Sequence, residues 1–158
     1  MNDTVPARPA FRRSDHSDPT TGLSRLTVAV ADIPTLMREQ EGSGLLGIIA
    51  FAVPAAPALY RLTPEAARQL RIDVSQRLAG LLRPQDRLYT ISHWEWLVVL
   101  PRVVRVAAVT LAMMKLRAGF GELPPTTDGT TLLCPVSCGA ALYPDDGSDA
   151  LHLIQSAR

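Results

Sequence analysis

The sequence predicts an α/β sandwich, with a central mixed and largely antiparallel sheet flanked by helices. Three observations point there. Residues 45–53 are one apolar run bounded by glycines and Pro54, the pattern of a strand buried on both faces. Residues 87–91 and 96–100 are aromatic and β-branched runs around the polar pair Ser92-His93, which reads as a β-hairpin spanning 87–100. Helical spacing of apolar residues recurs on either side of that hairpin. With 158 residues the chain can bury a core of its own, and one domain is expected.

In order, residues 1–17 show no hydrophobic period and read as a flexible N-terminal segment before a domain over 18–158. Asp18-Pro19-Thr20-Thr21-Gly22-Leu23 is a turn, since Asp, Pro and Gly each favour tight backbone geometry. A helix should lie within 26–40, with Pro34 starting a new helix or kinking one and Asp32 as a cap. Thr63-Pro64-Glu65 is a helix start, and Ala67, Leu70, Val74, Leu78 and Leu81 give that helix its apolar face. A second amphipathic helix fits 104–117, with Val106, Val109, Met113 and Leu116 inward. Residues 123–130 form a loop and 131–143 a strand. Pro144-Asp145-Asp146-Gly147 is a solvated turn, after which Ser148 caps a last helix.

Composition narrows the function classes. A formal net charge of +1 gives no footprint for nucleic acid or an anionic membrane. No apolar run is long enough to span a bilayer, and the N-terminus lacks the apolar centre of a signal peptide. Cys134 and Cys138 are too few for a disulfide framework and have no partners for zinc; four apart on a strand, they read as core thiols. Asp145 and Asp146 lack the further oxygens that calcium needs, and His16 and His152 stand in no pattern. The expectation is a cytoplasmic protein with no metal and no cofactor.

Three stretches, in register, carry a resemblance. Asp18-Pro19-Thr20-Thr21-Gly22-Leu23 resembles the DPLTGL opening of GGDEF domains, the diguanylate cyclase family. Arg83-Pro84-Gln85-Asp86, the hairpin and the strand after it are similar to that family's RxxD motif, signature hairpin and following strand. Residues 136–144, with Asp146-Gly147, resemble its segment of the form SxGxA-x-yP-x-dG. The resemblance runs from Asp18 to the C-terminus. It implies a nucleotidyl-cyclase-like fold, and it implies truncation before the family's last helix and strand, where a phosphate-binding Lys is expected.

The same resemblance implies that the family's chemistry is lost. Family cyclases join two GTP molecules into cyclic di-GMP, one on each domain of a dimer. They need carboxylates to hold divalent metal on the triphosphate, and a glycine tip that lets backbone approach phosphate. Counting back from Leu70, the metal-binding Asp falls on Ala50 and the phosphate-side Lys on Ala55. The guanine-reading Asn and its partner Asp fall on Ala58 and Ala67. In the hairpin the two glycines become Ser92 and His93, the catalytic acid becomes Trp94, and Glu95 remains before Trp96. No catalytic residue and no metal ligand are therefore expected. A hydrolytic use of Ser92, His93 and Glu95 is set aside, because neighbours on a strand point to opposite faces and a triad must converge. On the plainer reading, Ser92 and His93 are exposed tip residues, while Trp94 and Trp96 share a face that covers the vacated pocket or meets a partner.

Arg83 and Asp86 survive. In the family RxxD is the inhibitory site (I-site), which takes a stacked dimer of cyclic di-GMP. An Arg fork pairs with phosphate or with a guanine edge, and an Asp accepts from guanine. Two further family arginines fall on Thr90 and near Met114, the latter replaceable by Lys115 or Arg117. Read plainly, Arg83 is instead a cation at a helix C-terminus and Asp86 fixes the turn. Two functions stay open. One is a catalytically inactive GGDEF domain, regulatory in cyclic di-GMP signalling, that binds the dinucleotide through Arg83, Asp86, Lys115 and Arg117. The other is a protein-interaction or homodimerisation module without nucleotide, docking through the Trp94/Trp96 hairpin or helices. Its expected partner is a phosphodiesterase, HD-type or PilZ-type protein.

Overall fold

The structure, a computed structural model, describes residues 16–158. Five strands lie in the order β1-β3-β4-β2-β5: β1 (Ser24–Arg25), β2 (Leu45–Ala52), β3 (Arg87–Ser92), β4 (Glu95–Val103) and β5 (Ser137–Tyr143). Only β1 and β3 run parallel; the other pairings are antiparallel. The expected mixed sheet is therefore present. Central β2 is buried on both faces because helices cover both sides of the sheet. Leu46, Ile48 and Ala50 turn toward α1 (Leu26–Gln40) and α5 (Ala150–Ala157). Ile49 and Phe51 turn toward α3 (Pro64–Leu81) and α4 (Val106–Ala118), with the short α2 (Pro57–Tyr60) at the β2 end of that layer. The two-residue alternation of β2 thus feeds two separate cores.

α3 begins where its cap and proline place it: the Thr63 side chain accepts from the Ala66 amide. Leu70, Val74 and Leu78 are buried on the sheet, while Ala67 and Leu81 are only half-buried. Gly139, in β5, lies under the last turn of α5. A Cβ there would stand 2.1 Å from the Ala157 carbonyl oxygen, which is backbone and cannot swing aside. Gly139→Ala is expected to cost about 3 kcal/mol in urea unfolding, the upper end for overpacking. A loss under about 0.5 kcal/mol, typical of surface substitutions, would refute this close packing.

Other expectations are corrected. Pro34 starts no new helix: it lies inside the single helix α1, where the buried Ile33, Leu36 and Met37 belong to the core beneath the sheet. Asp32 is no cap: it lies mid-helix and accepts the Tyr89 hydroxyl at 2.8 Å, and Arg25 holds the N-cap position. Burial, then Asp32, push the Tyr89 hydroxyl's pKa well above its usual range. Residues 131–136 are not strand. Leu132 and Cys134 are buried and Leu133 is exposed, so the two-residue period is real. However, the register ends at Ala52↔Ser137, and β2 has no further residues to pair. The last helix is capped by Asp149, not Ser148. Val106 faces solvent, Met113 is half-buried, and Val109 and Leu116 are buried. Asp146 is not simply solvated, since it accepts the Leu142 amide at 2.8 Å. Ser17, assigned to the N-terminal segment, forms a bridge with Ser24; residues 1–15 of that segment lie outside the described residues. Among the described residues no helix is long and apolar enough to cross a membrane.

Candidate functional site

The β3–β4 hairpin turns at His93-Trp94, one residue later than expected, because Ser92 still pairs with Glu95 across the strands. The tip is held from beneath by Arg71 of α3. Its Nε donates to the His93 carbonyl at 2.7 Å, and its terminal nitrogen donates to the Asp18 carboxylate at 2.8 Å. Arg71 and Asp18 are both buried. Asp18 belongs to the opening turn, which closes through Gly22 N–H to Asp18 C=O and the Thr21 hydroxyl to the Asp18 carboxylate. One guanidinium therefore clamps the opening turn and the hairpin tip onto α3. The sequence carries a signal for this residue in the apolar stripe of α3. Positions 67, 71, 74 and 78 share a helical stripe, and a charge inside an apolar stripe requires a buried partner.

Burial alone pushes the Asp18 carboxyl up. The Thr21 hydroxyl, the Thr20 amide and Arg71 outweigh it and hold the group below its usual 3.8. A depressed folded value means that the unfolded chain takes up the proton first. Asp18 therefore contributes its full stability above the unfolded value and loses it as pH falls through the folded one. The melting-temperature gap between wild type and Asp18→Asn is expected to narrow as pH drops below about 3.8, the unfolded value. A gap unchanged across that window would be incompatible with this assignment. Burial, then the Arg71 charge, lower the His93 imidazole below its usual 6.5 against the opposing pull of Asp18.

The hairpin aromatics share a face, as expected, but that face turns into the core rather than to solvent. Trp96 is fully buried with its ring edge-on to Phe51, and its indole N–H donates to the Ser75 hydroxyl at 2.9 Å. Trp94 is half-buried, with its ring centroid 6.5 Å from that of Trp96. Ser92 and His93 are exposed at the tip. Beside them, Pro54, Ala55, Leu59, Tyr60 and Trp94 line a cleft of about 290 Å³. A neighbouring cleft of about 320 Å³ reaches Ala50 and Gly139. The acid common to both is Glu95, and Arg158 holds it in an ion pair at 2.8 Å. Among the described residues no group of three or more His, Cys, Asp or Glu gathers to hold a metal. Ala58 and Ala67 are half-buried.

The RxxD pair lies at the end of α3. Asp86 accepts from the Arg83 amide at 2.8 Å and from its guanidinium at 2.7 Å, which closes the turn into β3. Arg83, Asp86 and Lys115 line one cleft of about 240 Å³ between α3 and α4, floored by Leu100, Val103 and Leu116. Lys115 donates from Nζ to the Leu81 carbonyl at 2.9 Å, one of the open carbonyls at a helix end. Arg117 does not join this cleft: two residues along α4 it faces elsewhere, and its charge acts on Cys138. Thr90 is buried and lines a different cleft, with Arg25 and Arg71. Cys134 sits off the strand with its thiol toward the Pro54 carbonyl, so the two cysteines do not share a strand face. Burial pushes both thiols up, Cys138 to about 11.

No family profile matches the chain, and no curated protein matches it in sequence. Solved structures are similar to it. The GGDEF domain of TpbB (or YfiN) from Pseudomonas aeruginosa superposes with a TM-score of 0.80 at 20% identity, over 90% of this chain and 84% of that one. The GGDEF domain of DgcB from Caulobacter crescentus, solved in complex with c-di-GMP, gives 0.79 at 15% identity, over 97% and 89%. The diguanylate cyclase SiaD from Pseudomonas aeruginosa, in complex with its activator SiaC, gives 0.73 at 14% identity, over 89% and 54%. The sheet and its flanking helices are thus the GGDEF fold, as the resemblance implied.

Proposed function

We propose that the chain is a catalytically silent GGDEF-fold domain that regulates cyclic di-GMP signalling by taking the dinucleotide at the α3–α4 cleft. The observation that carries this reading is the convergence of Arg83, Asp86 and Lys115 on one cleft, although 32 residues separate the first from the last. The Arg83 side chain is half-exposed, whereas that of Asp86 is nearly covered. A phosphate is a stronger acceptor for Lys115 than the Leu81 carbonyl it now holds, and Arg83 can present a fork to phosphate or guanine. At about 240 Å³ the cleft suits one base or one phosphate, with the rest of the ligand across the rim. That DgcB was solved with c-di-GMP supports the choice of ligand.

Calorimetric titration with cyclic di-GMP tests it. Saturable binding is expected, weakened at least about tenfold by Arg83→Ala or Lys115→Ala, as for a charge-assisted contact. No heat at high micromolar ligand would remove the receptor role. The second reading, protein docking without nucleotide, is favoured by exposed apolar residues on α4 rather than by the hairpin, whose Trp96 is buried. SiaD in complex with SiaC supports a GGDEF fold as a protein's docking platform.

A further inference from the structure

The net charge of +1 conceals a segregation. Residues 96–121 contain four basic side chains, Arg102, Arg105, Lys115 and Arg117, and no acid. With sixteen basic and fifteen acidic residues overall, the remainder holds twelve against fifteen and is net acidic. The same stretch carries four of the seven exposed large hydrophobics among the described residues: Val104 (84% exposed), Val106, Leu111 (67%) and Met114. Leu111 stands at the α3–α4 cleft with Lys115 one turn on, and the one acid there, Asp86, is already tied to Arg83. The first turn of α4 has neither an acidic residue nor a side-chain cap, so its positive end adds to the field.

We infer that the outer face of α4, together with the apolar floor of the cleft, docks an acidic amphipathic segment of a partner protein. Apolar side chains of that segment cover Leu111 and Met114, and one enters the cleft over Leu100 and Val103. Its flanking carboxylates meet Arg105 and Lys115. Charge complementarity selects this occupant. A second copy docked face to face would set these bases against one another. A bilayer surface fits less well, because the exposed residues of the stretch include no aromatic anchor and the feature is a concave cleft. The inference rests on the second reading, protein docking at α4, and names its partner; it shares the cleft and Lys115 with the dinucleotide reading but needs neither Arg83 nor Asp86.

The test uses the full chain and a fluorescent helical peptide of about 18 residues, with a leucine stripe at helical spacing and glutamates on both flanks. Saturable anisotropy is expected, declining between about 0.05 and 0.5 M salt as screening grows. Leu111→Glu and Met114→Glu are each expected to weaken binding about tenfold, as for interface anchors. Both residues are exposed, and circular dichroism verifies that the variants fold. Equal binding of a lysine-flanked peptide, unchanged binding by both variants, or no saturable binding overturns the inference. So does a dimer that Leu111→Glu disperses, which assigns the face to a second copy. Preferential sedimentation with phosphatidylserine vesicles assigns it to membrane and overturns it too. Titration of cyclic di-GMP against Arg83→Ala reports on the other reading independently.

Discussion

GTP incubated with this protein and magnesium is expected to return unchanged, with no cyclic di-GMP on chromatography. Joining two nucleotides requires charge at phosphorus to be neutralised as it builds, and a metal held by carboxylates does that. Ala50, the position that the resemblance assigns to the metal-binding Asp, offers a methyl group at the base of its cleft. Trp94 stands where the catalytic acid is expected. The acid that remains, Glu95, already holds a cation, the Arg158 guanidinium. An incoming metal must displace that ion pair and then finds no second carboxylate lining either cleft. Losing several kcal/mol of metal stabilisation alone slows a reaction about a thousandfold, before the loss of guanine contacts is counted. Product formation above that of a heat-denatured control would overturn the proposal of a silent domain. Arg158→Ala is expected to leave the result unchanged, because freeing one carboxylate does not rebuild a metal site.

Arg71→Ala is expected to cost about 3–5 kcal/mol of folding stability, the range for breaking one side of a buried ion pair. The truncation leaves the buried Asp18 carboxylate without its counter-charge and the His93 carbonyl without its donor. It also frees the opening turn and the hairpin tip from α3 together. Against a total stability of about 5–15 kcal/mol this is a large fraction, so the variant's urea midpoint should fall sharply. Arg71→Lys keeps the charge but not the fork that serves both partners, and should fall between the two. A double-mutant cycle with Asp18→Ala should give a coupling energy above about 1 kcal/mol. Coupling near zero, or a loss under about 1 kcal/mol for Arg71→Ala, would mean that the clamp contributes nothing.

Most of the fold was legible along the chain. The apolar run at β2, the capped start of α3 and the paired runs around the tip are local signals, and local propensity agrees with the tertiary result at each. The errors arose where a local pattern lacked its long-range partner. Leu132 and Cys134 alternate with exposed neighbours like a strand, but the pairing edge ends before them. Pro34 left two outcomes open along the chain, a new helix or a bend in one, and burial of Ile33, Leu36 and Met37 keeps a single helix there. Around the candidate site, Arg83 and Asp86 were visible as a motif. Their mutual ion pair is a local contact across the turn into β3, whereas the arrival of Lys115 rather than Arg117 follows from how α4 crosses the end of α3.

The sequence by itself determined composition and order: alanines and an indole at the positions that the resemblance assigns to acids, an Arg and an Asp three apart at 83 and 86, and a base-rich stretch free of acids between residues 96 and 121. These are properties of residue identity, and no folding can change them. Tertiary structure alone decided which charges meet. It buried Arg71 with Asp18 across 53 residues of chain and turned Arg158 onto Glu95 across 63. It also sank Trp96 into the core while leaving Leu111 and Met114 outside. Partners so distant in sequence are set by strand order and helix packing, and the free energy of a charge depends on what lies within a few ångströms of it.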